Sequence, residues 1–356
     1  MKNSSNVNLS IGVAILPIIF LVLLLSINVF IYGDDSLNGT NQFILILSGL
    51  FGSTIGFANK VSYKKILTSI SNSVKSVTGA LLILLFVGAL AGTWMISGII
   101  PAMVYYGLKI LDPNIFLPAC IIICSIISVA TGSSWTTSAT VGIALVGIGK
   151  ALGIPAGMVG GAVIAGAYFG DKLSPLSDTT NLAAAVTKVD LFKHIKYLTY
   201  TTIPSISITL IVFIILGFLQ VSDGITDNTD LLNAISEKFN ISLILFIVPL
   251  LVLIMIIKKT PPLIALVIGT LSGALFSLIF QPQIISELSS GLNSRIVDSY
   301  IVIMNTITGE VSIETNNEIL DDLFSTGGML GMMNTIFLVI GTMVFGGVMD
   351  AIGALK

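Results

Sequence analysis

The most constraining feature of this chain is its repeated apolar runs. Residues 9–32 carry no charged side chain, and comparable stretches recur near Gln42–Ala58, Val77–Gly98, Thr199–Leu219, Ile241–Ile257, Pro262–Phe280 and Met329–Met349. A helix needs about 20 such residues to cross the hydrocarbon of a bilayer. Lipid offers backbone groups no partner, so runs like these cross as helices. Of the 356 residues 54% are hydrophobic and 10% charged, against about a quarter charged in soluble domains. The expected fold is an all-α, multi-pass membrane protein of the cell membrane. A formal net charge of −2 gives no footing for nucleic acid. The first run exceeds the apolar core of a secretory leader, a lone Lys2 precedes it, and no small-residue cleavage site stands near Tyr32. A retained first helix is expected.

Charge in the connectors sets an orientation. Lys60, Lys64, Lys65 and Lys75 lie in Asn59–Ser76, Lys188, Lys193 and Lys196 form a second basic group, and Lys258-Lys259 a third. Asp223, Asp227, Asp230 and Glu237, then Glu287 through Asp322, mark acidic connectors. Basic connectors belong in the cytoplasm, which also puts the amino terminus there. The long connector Gln281–Ser325 is expected to be a small loop on the outer side.

Two stretches interrupt the apolar pattern. Gly166–Leu182 gathers Asp171, Lys172, Ser174, Ser177, Asp178, Thr179, Thr180 and Asn181 within a few turns of Pro175. Such groups are costly in hydrocarbon unless paired or wetted, and proline disfavours helix just before itself. Thr131–Thr140 places seven hydroxyls in ten residues around Gly132. Each stretch is expected to be a helix break, the two facing one another. Irregular backbone at membrane depth survives only in protein or against a wet cavity. Gly157/Gly161 and Gly166/Gly170 have the four-residue glycine spacing of closely packed membrane helices. Gly88–Leu111 carries another such pair and Pro101, which favours a packed helix pair with a proline kink over a re-entrant hairpin. Cys120 and Cys124 are expected to be packing residues, the sole histidine, His194, interfacial, and Asp350 interfacial.

Hydroxyls and backbone carbonyls are hard oxygen ligands, suited to a small alkali or alkaline-earth cation. A carboxylate withdrawn from water takes up a proton more readily, and a bound cation favours its ionised form. Cation and proton therefore compete. Asp178 is the first candidate for this role, with Thr179, Thr180 and Asn181 beside it; Asp171 is second. Ser133, Ser134 and Thr137 are the facing ligands, and Asp178, Thr180 and Asn181 the expected Na+ ligands. An intramembrane aspartyl dyad would need its acids on separate helices, and a serine nucleophile would need a nearby base. Both enzyme readings fail. A passive channel or a scaffold would not need a proton-competent carboxylate.

Many transporters are two inverted repeats with the site between them. Gly327–Lys356 loosely echoes residues 80–111. The chain accordingly divides into N-terminal helices (1–76), a first transport repeat with both breaks (77–198), linking helices with the outer loop (199–326), and the start of a second repeat (327–356). The second repeat is expected to be incomplete.

The stretch from Thr131 through Val186, and above all GAYFGDKLSPLSDTTNLA, resembles the signature of the NhaC family of sodium/proton antiporters. The resemblance extends back through Leu84–Gly107, forward through Asp190–Pro204, and resumes at Ser325–Gly353. Thr136 stands where that family often has glycine. The resemblance implies an inverted-repeat secondary transporter that exchanges Na+ or Li+ for H+ by alternating access. The alternative within the family is coupled exchange of small organic anions such as malate and lactate. No cofactor is expected beyond the transported Na+ and H+. The partners are the bilayer, these ions and, in the alternative, the organic anion, with a homodimer left open as the assembly.

Overall fold

The structure, a computed structural model, describes residues 10–354 except 111–112, 133, 176, 178, 181–182, 185–188, 221–228, 259, 290 and 292–293. Six of the described helices are long and apolar enough to cross a membrane. A bent pair, Thr229–Lys238 and Leu243–Ile256 at 84°, makes up to seven. The protein is an all-α polytopic membrane protein; its only described sheet is a two-stranded hairpin.

The chain forms two compact units. The first holds residues 1–85 and 331–356. Its helices are α1 (Ile11–Tyr32), α2 (Thr40–Ala58), the first two-thirds of α3 (Tyr63–Ile96) and the last helix (Met333–Ile352). Glycines let α2 approach the last helix. A Cβ on Gly49, Gly52 or Gly56 would meet Val344, Val348 and Ile352 at 3.5, 3.1 and 2.8 Å. Small residues on one stripe are how membrane helices gain dispersion contact without a hydrophobic driving force. Gly347 of the last helix lies against α3 in the same way, where a Cβ would stand 2.6 Å from the Ile70 Cα. A polar knot closes the α1–α2 turn. Asn28 Nδ2 donates to Thr40 Oγ1 and Asn41 Oδ1, both at 2.8 Å, and Asn41 Nδ2 donates to Ser36 Oγ at 3.1 Å. Partners of this kind offset the cost of burying amides.

Helix α3 differs from expectation. Residues 59–76 are not one connector: the helix begins at Tyr63, and Lys64, Lys65 and Lys75 ride on it. Lysine is a good helix former, so polar composition alone does not end a helix.

The second unit runs from Phe86 to Leu330. The break after α3 falls at Gly98, not at Pro101. Gly98 has φ +78, a left-handed conformation that glycine adopts without strain. Pro101 sits in the first turn of α4 (Ile99–Ile110), where its missing N–H is no loss. Trp94 at the end of α3 donates Nε1–H to the Gly269 carbonyl at 3.1 Å. Then come α5 (Pro113–Thr131), α6 (Ser134–Thr137), a π turn (Ser138–Gly142), α7 (Ile143–Ala151) and α8 (Ala156–Leu173). A long helix, Leu191–Gln220, packs on α5 and α8.

The expected outer loop 281–325 is largely ordered structure. It contains helices Pro282–Leu288, Arg295–Thr308 and Glu318–Leu323, and the hairpin Val311–Ser312 with Ser325–Thr326. The helix Arg295–Thr308 buries Asp298, Val302 and Thr306 at four-residue spacing, one face of a helix. Its outward face is apolar, with Ile296, Tyr300 and Met304 exposed, while Asp298 and Thr306 lie on the buried side. The polar residues flanking this helix are what make the stretch read as a loop.

Candidate cation site

The site grows from the contact between α5 and α8. Gly166 and Gly170 present bare backbone to α5. A Cβ on Gly170 would lie 2.5 Å from the Ser125 carbonyl oxygen, and one on Gly166 would collide with the Ile121 carbonyl. Ser128 Oγ donates to the Ala167 carbonyl at 2.5 Å, so the two helices are also hydrogen-bonded.

Both helices end at the same level. Helix α5 stops at Gly132, with φ +70, and its N–H reaches the Ser128 carbonyl at 2.8 Å. Helix α8 stops at Leu173, after which Ser174 is extended. Ser174 Oγ donates to the Val129 carbonyl of α5 at 2.7 Å. A helix end leaves its last carbonyls unpaired. Thr180 Oγ1 takes up two of them, Asp171 O at 3.3 Å and Lys172 O at 3.2 Å. Beyond α8, Ser177 Oγ and Thr179 Oγ1 lie 2.9 Å apart, and the Thr180 N–H donates to Ser177 Oγ.

One hydrogen bond joins the two breaks. Ser134 Oγ, at the start of α6, donates to Asp171 Oδ2 at 2.8 Å. Ser134 and Thr180 are buried and Asp171 is half-buried. The α6 segment passes into the π turn at Ser138–Gly142, which rests on α8: a Cβ on Gly142 would stand 2.7 Å from Val163 Cγ1. Turns of this kind often occur at functional sites.

The hydroxyl geometry has a chemical result. Ser134 and Thr180 each direct a proton at a protein acceptor. Their oxygen lone pairs are then turned away from those bonds, as ligands for a cation require.

Of the residues singled out in the sequence, the structure brings Asp171, Ser134 and Thr180 together. Thr137 is buried and Thr179 exposed. Asp178, Asn181 and Ser133 lie outside the described residues. Lys172 is exposed and its ammonium does not pair with Asp171 among the described residues. Ser128 was not singled out by the sequence, and Ser174 and Ser177 were noted there without a role at the site. Ser174 and Ser177 lie within the acidic stretch, next to Pro175, where serines look like turn formers. Ser128 hides in an apolar run, and its spacing from Gly132 is the only cue.

Broken membrane helices carrying a carboxylate and oriented hydroxyls at their ends define a class, the polytopic secondary transporters. The match is more particular than that. A family model described as the Na+/H+ antiporter family covers residues 166–356. The chain is 38% identical over 340 residues to the malate-2H+/Na+-lactate antiporter of Bacillus subtilis (strain 168), covering 95% of this chain and 68% of the relative. It is 36% identical over 311 residues to the Na+/H+ antiporter NhaC of Alkalihalophilus pseudofirmus, covering 87% and 63%. It is 32% identical over 353 residues to the arginine/ornithine antiporter ArcD of Halobacterium salinarum, covering 98% and 68%. The chain thus spans about two-thirds of the length of these relatives. No solved structure matches it. This chain belongs to the Na+/H+ antiporter family.

Proposed function

We propose that the protein exchanges Na+ or Li+ for H+ across the cell membrane by alternating access, a single acid at the helix breaks taking cation and proton in turn. The observation that carries this reading is the hydrogen bond from Ser134 to Asp171, which ties the hydroxyl-rich break to the acidic one. Asp178 is the exchanging carboxylate. Thr180 and Asn181 join it on Na+, with Thr179 beside them and Ser133, Ser134 and Thr137 facing from the other break. Asp171 orients Ser134 through its accepted hydrogen bond, and Thr180 is oriented by the end of α8. Oxygens fixed in this way favour the small, hard cation. Protonation of the exchanging acid removes the negative charge that holds the cation, so the two ligands exclude one another.

A second reading has support from one relative. The B. subtilis protein is named for malate and lactate as well as Na+ and H+. In that reading a small organic anion travels with the cations.

The test is transport by the complete protein in proteoliposomes, comparing Na+, Li+, malate and lactate. Asp178→Asn should abolish Na+-dependent proton movement while the protein still purifies folded. Undiminished exchange in that variant would exclude the assigned role.

A further inference from the structure

A cavity of about 360 Å3 lies between α8 and the helix Leu191–Gln220, away from the Ser134–Asp171 contact. Its α8 wall is Ala165, Tyr168, Phe169 and Lys172. These positions recur at three- and four-residue intervals and share one face of the helix. The opposite wall presents Thr201, Thr202, Ser205 and Thr209, again one helical face. Four hydroxyls on one stripe stand out, because the following residues of that helix are almost wholly apolar.

Two of the four hydroxyls are spent on their own helix. Thr201 donates to the Leu198 carbonyl at 3.1 Å and Thr209 to the Ser205 carbonyl at 2.9 Å. This is the ordinary habit of hydroxyls in membrane helices. The hydroxyls of Thr202, Ser205 and Tyr168, and the Lys172 ammonium, make no hydrogen bond among the described residues. Among the described residues, no Asp or Glu lines the cavity. An ammonium has three donors and no acceptor. A described lining with a positive charge, spare hydroxyl donors and no acid complements an anion with several acceptor oxygens.

The geometry points to a binding site for a small carboxylate, held by Lys172 with Thr202, Ser205 and Tyr168 and separate from the cation site. The Lys172 ammonium forms the charge-assisted bond to the carboxylate, which is the strongest contact available there. Phe169 and Ile206 supply the apolar floor for the carbon skeleton. The inference rests on the organic-anion reading above, and gives it a place in the fold. The same chemistry could be met by the phosphate of a lipid headgroup, so the test separates the two sources.

The complete protein in nanodiscs of zwitterionic lipid is titrated with radiolabelled succinate and acetate, and 22Na+ binding is measured in parallel. Wild type should bind at least one of these acids saturably. Lys172→Met should weaken that binding about tenfold or more, the loss of one charged hydrogen bond. The double variant Thr202→Val, Ser205→Ala should weaken it about threefold. Both should bind 22Na+ as wild type does. The double variant keeps every charge and decides the matter if Lys172→Met does not fold. Absence of saturable binding in wild type, or unchanged binding in the folded variants, would overturn the site. Phosphatidylglycerol retained by wild type but not by Lys172→Met, without binding of either acid, would overturn the carboxylate assignment. Loss of 22Na+ binding in wild type with carboxylate binding intact would instead count against cation exchange and leave this site standing.

Discussion

Ser134 and Asp171 stand 37 positions apart in the chain, yet the Ser134 hydroxyl donates to the Asp171 carboxylate at 2.8 Å. The bond spans two helix ends that arrive at one level because α5 and α8 pack over bare glycine backbone. It makes the orientation of Ser134 depend on the charge of Asp171.

Ser134→Ala should therefore weaken Na+ activation of proton movement by about tenfold, the cost of one lost ligand or charged hydrogen bond. Asp171→Asn should act in the same direction, since an amide attracts the Ser134 proton less. Combined, the two changes should cost less than the sum of their separate effects, because they remove one interaction. Full additivity in a double-variant cycle would show that the bond does not matter to transport.

Gly170→Ala tests the packing beneath the site. The added Cβ meets the Ser125 carbonyl and the Val129 nitrogen, both backbone atoms that cannot rotate aside. Overpacking of this kind costs about 1–3 kcal/mol or more. A drop in the melting temperature of the purified protein, with loss of transport, is expected. Gly160→Ala, where nothing lies within 4 Å, should be silent in the same assay.

In the first unit the glycines should differ in tolerance. Gly347→Ala drives a methyl into the Ile70 backbone, whereas Gly56→Ala meets the Ile352 Cγ2 methyl. A side-chain methyl can move by rotation and backbone cannot. Thermal unfolding should rank Gly347→Ala below Gly56→Ala, and equal values would count against this packing.

The hairpin gives a pH prediction. The Thr315 hydroxyl donates to Asp321 Oδ1 at 2.7 Å, and the Thr315 amide donates to the same oxygen. These bonds hold the Asp321 carboxyl below the usual carboxylate range, the Thr315 hydroxyl contributing most. A lowered value in the folded state means that the ionised form is the one the fold favours. The stabilisation is thus fully present above the ordinary aspartate value of about 3.9 and is lost as pH falls through the lower folded value. Amide exchange at Thr315 should accelerate over that acid range in wild type. Thr315→Val should remove most of the dependence.

Much of the membrane architecture was legible because hydrophobic runs of bilayer length admit few alternatives. The breaks were legible too. Gly132 among hydroxyls and Pro175 among acids conflict with their apolar surroundings, and such conflict marks the place where a helix stops. The start of α3 was hidden, because Lys64, Lys65 and Lys75 suit a helix surface and a loop equally well. Gly98 was passed over in favour of Pro101, since a proline in a first turn and a proline at a kink look alike in one dimension. Asp171 stood second to Asp178 in the sequence; the fold shows its carboxylate accepting from Ser134 across the two breaks, while Asp178 lies outside the described residues. The serines that stitch α5 to α8 needed tertiary knowledge, for Ser128 and Ser174 bond across 39 and 45 positions of sequence.

The 34 residues of α3 amount to a rod of about 51 Å at 1.5 Å per residue, while the hydrocarbon slab is about 30 Å deep. The surplus turns at its start carry Lys64, Lys65 and Lys75, whose ammonium groups seek the phosphate layer. The helix resembles a mooring post: its greasy length suits the slab, and its charged foot suits the headgroup layer.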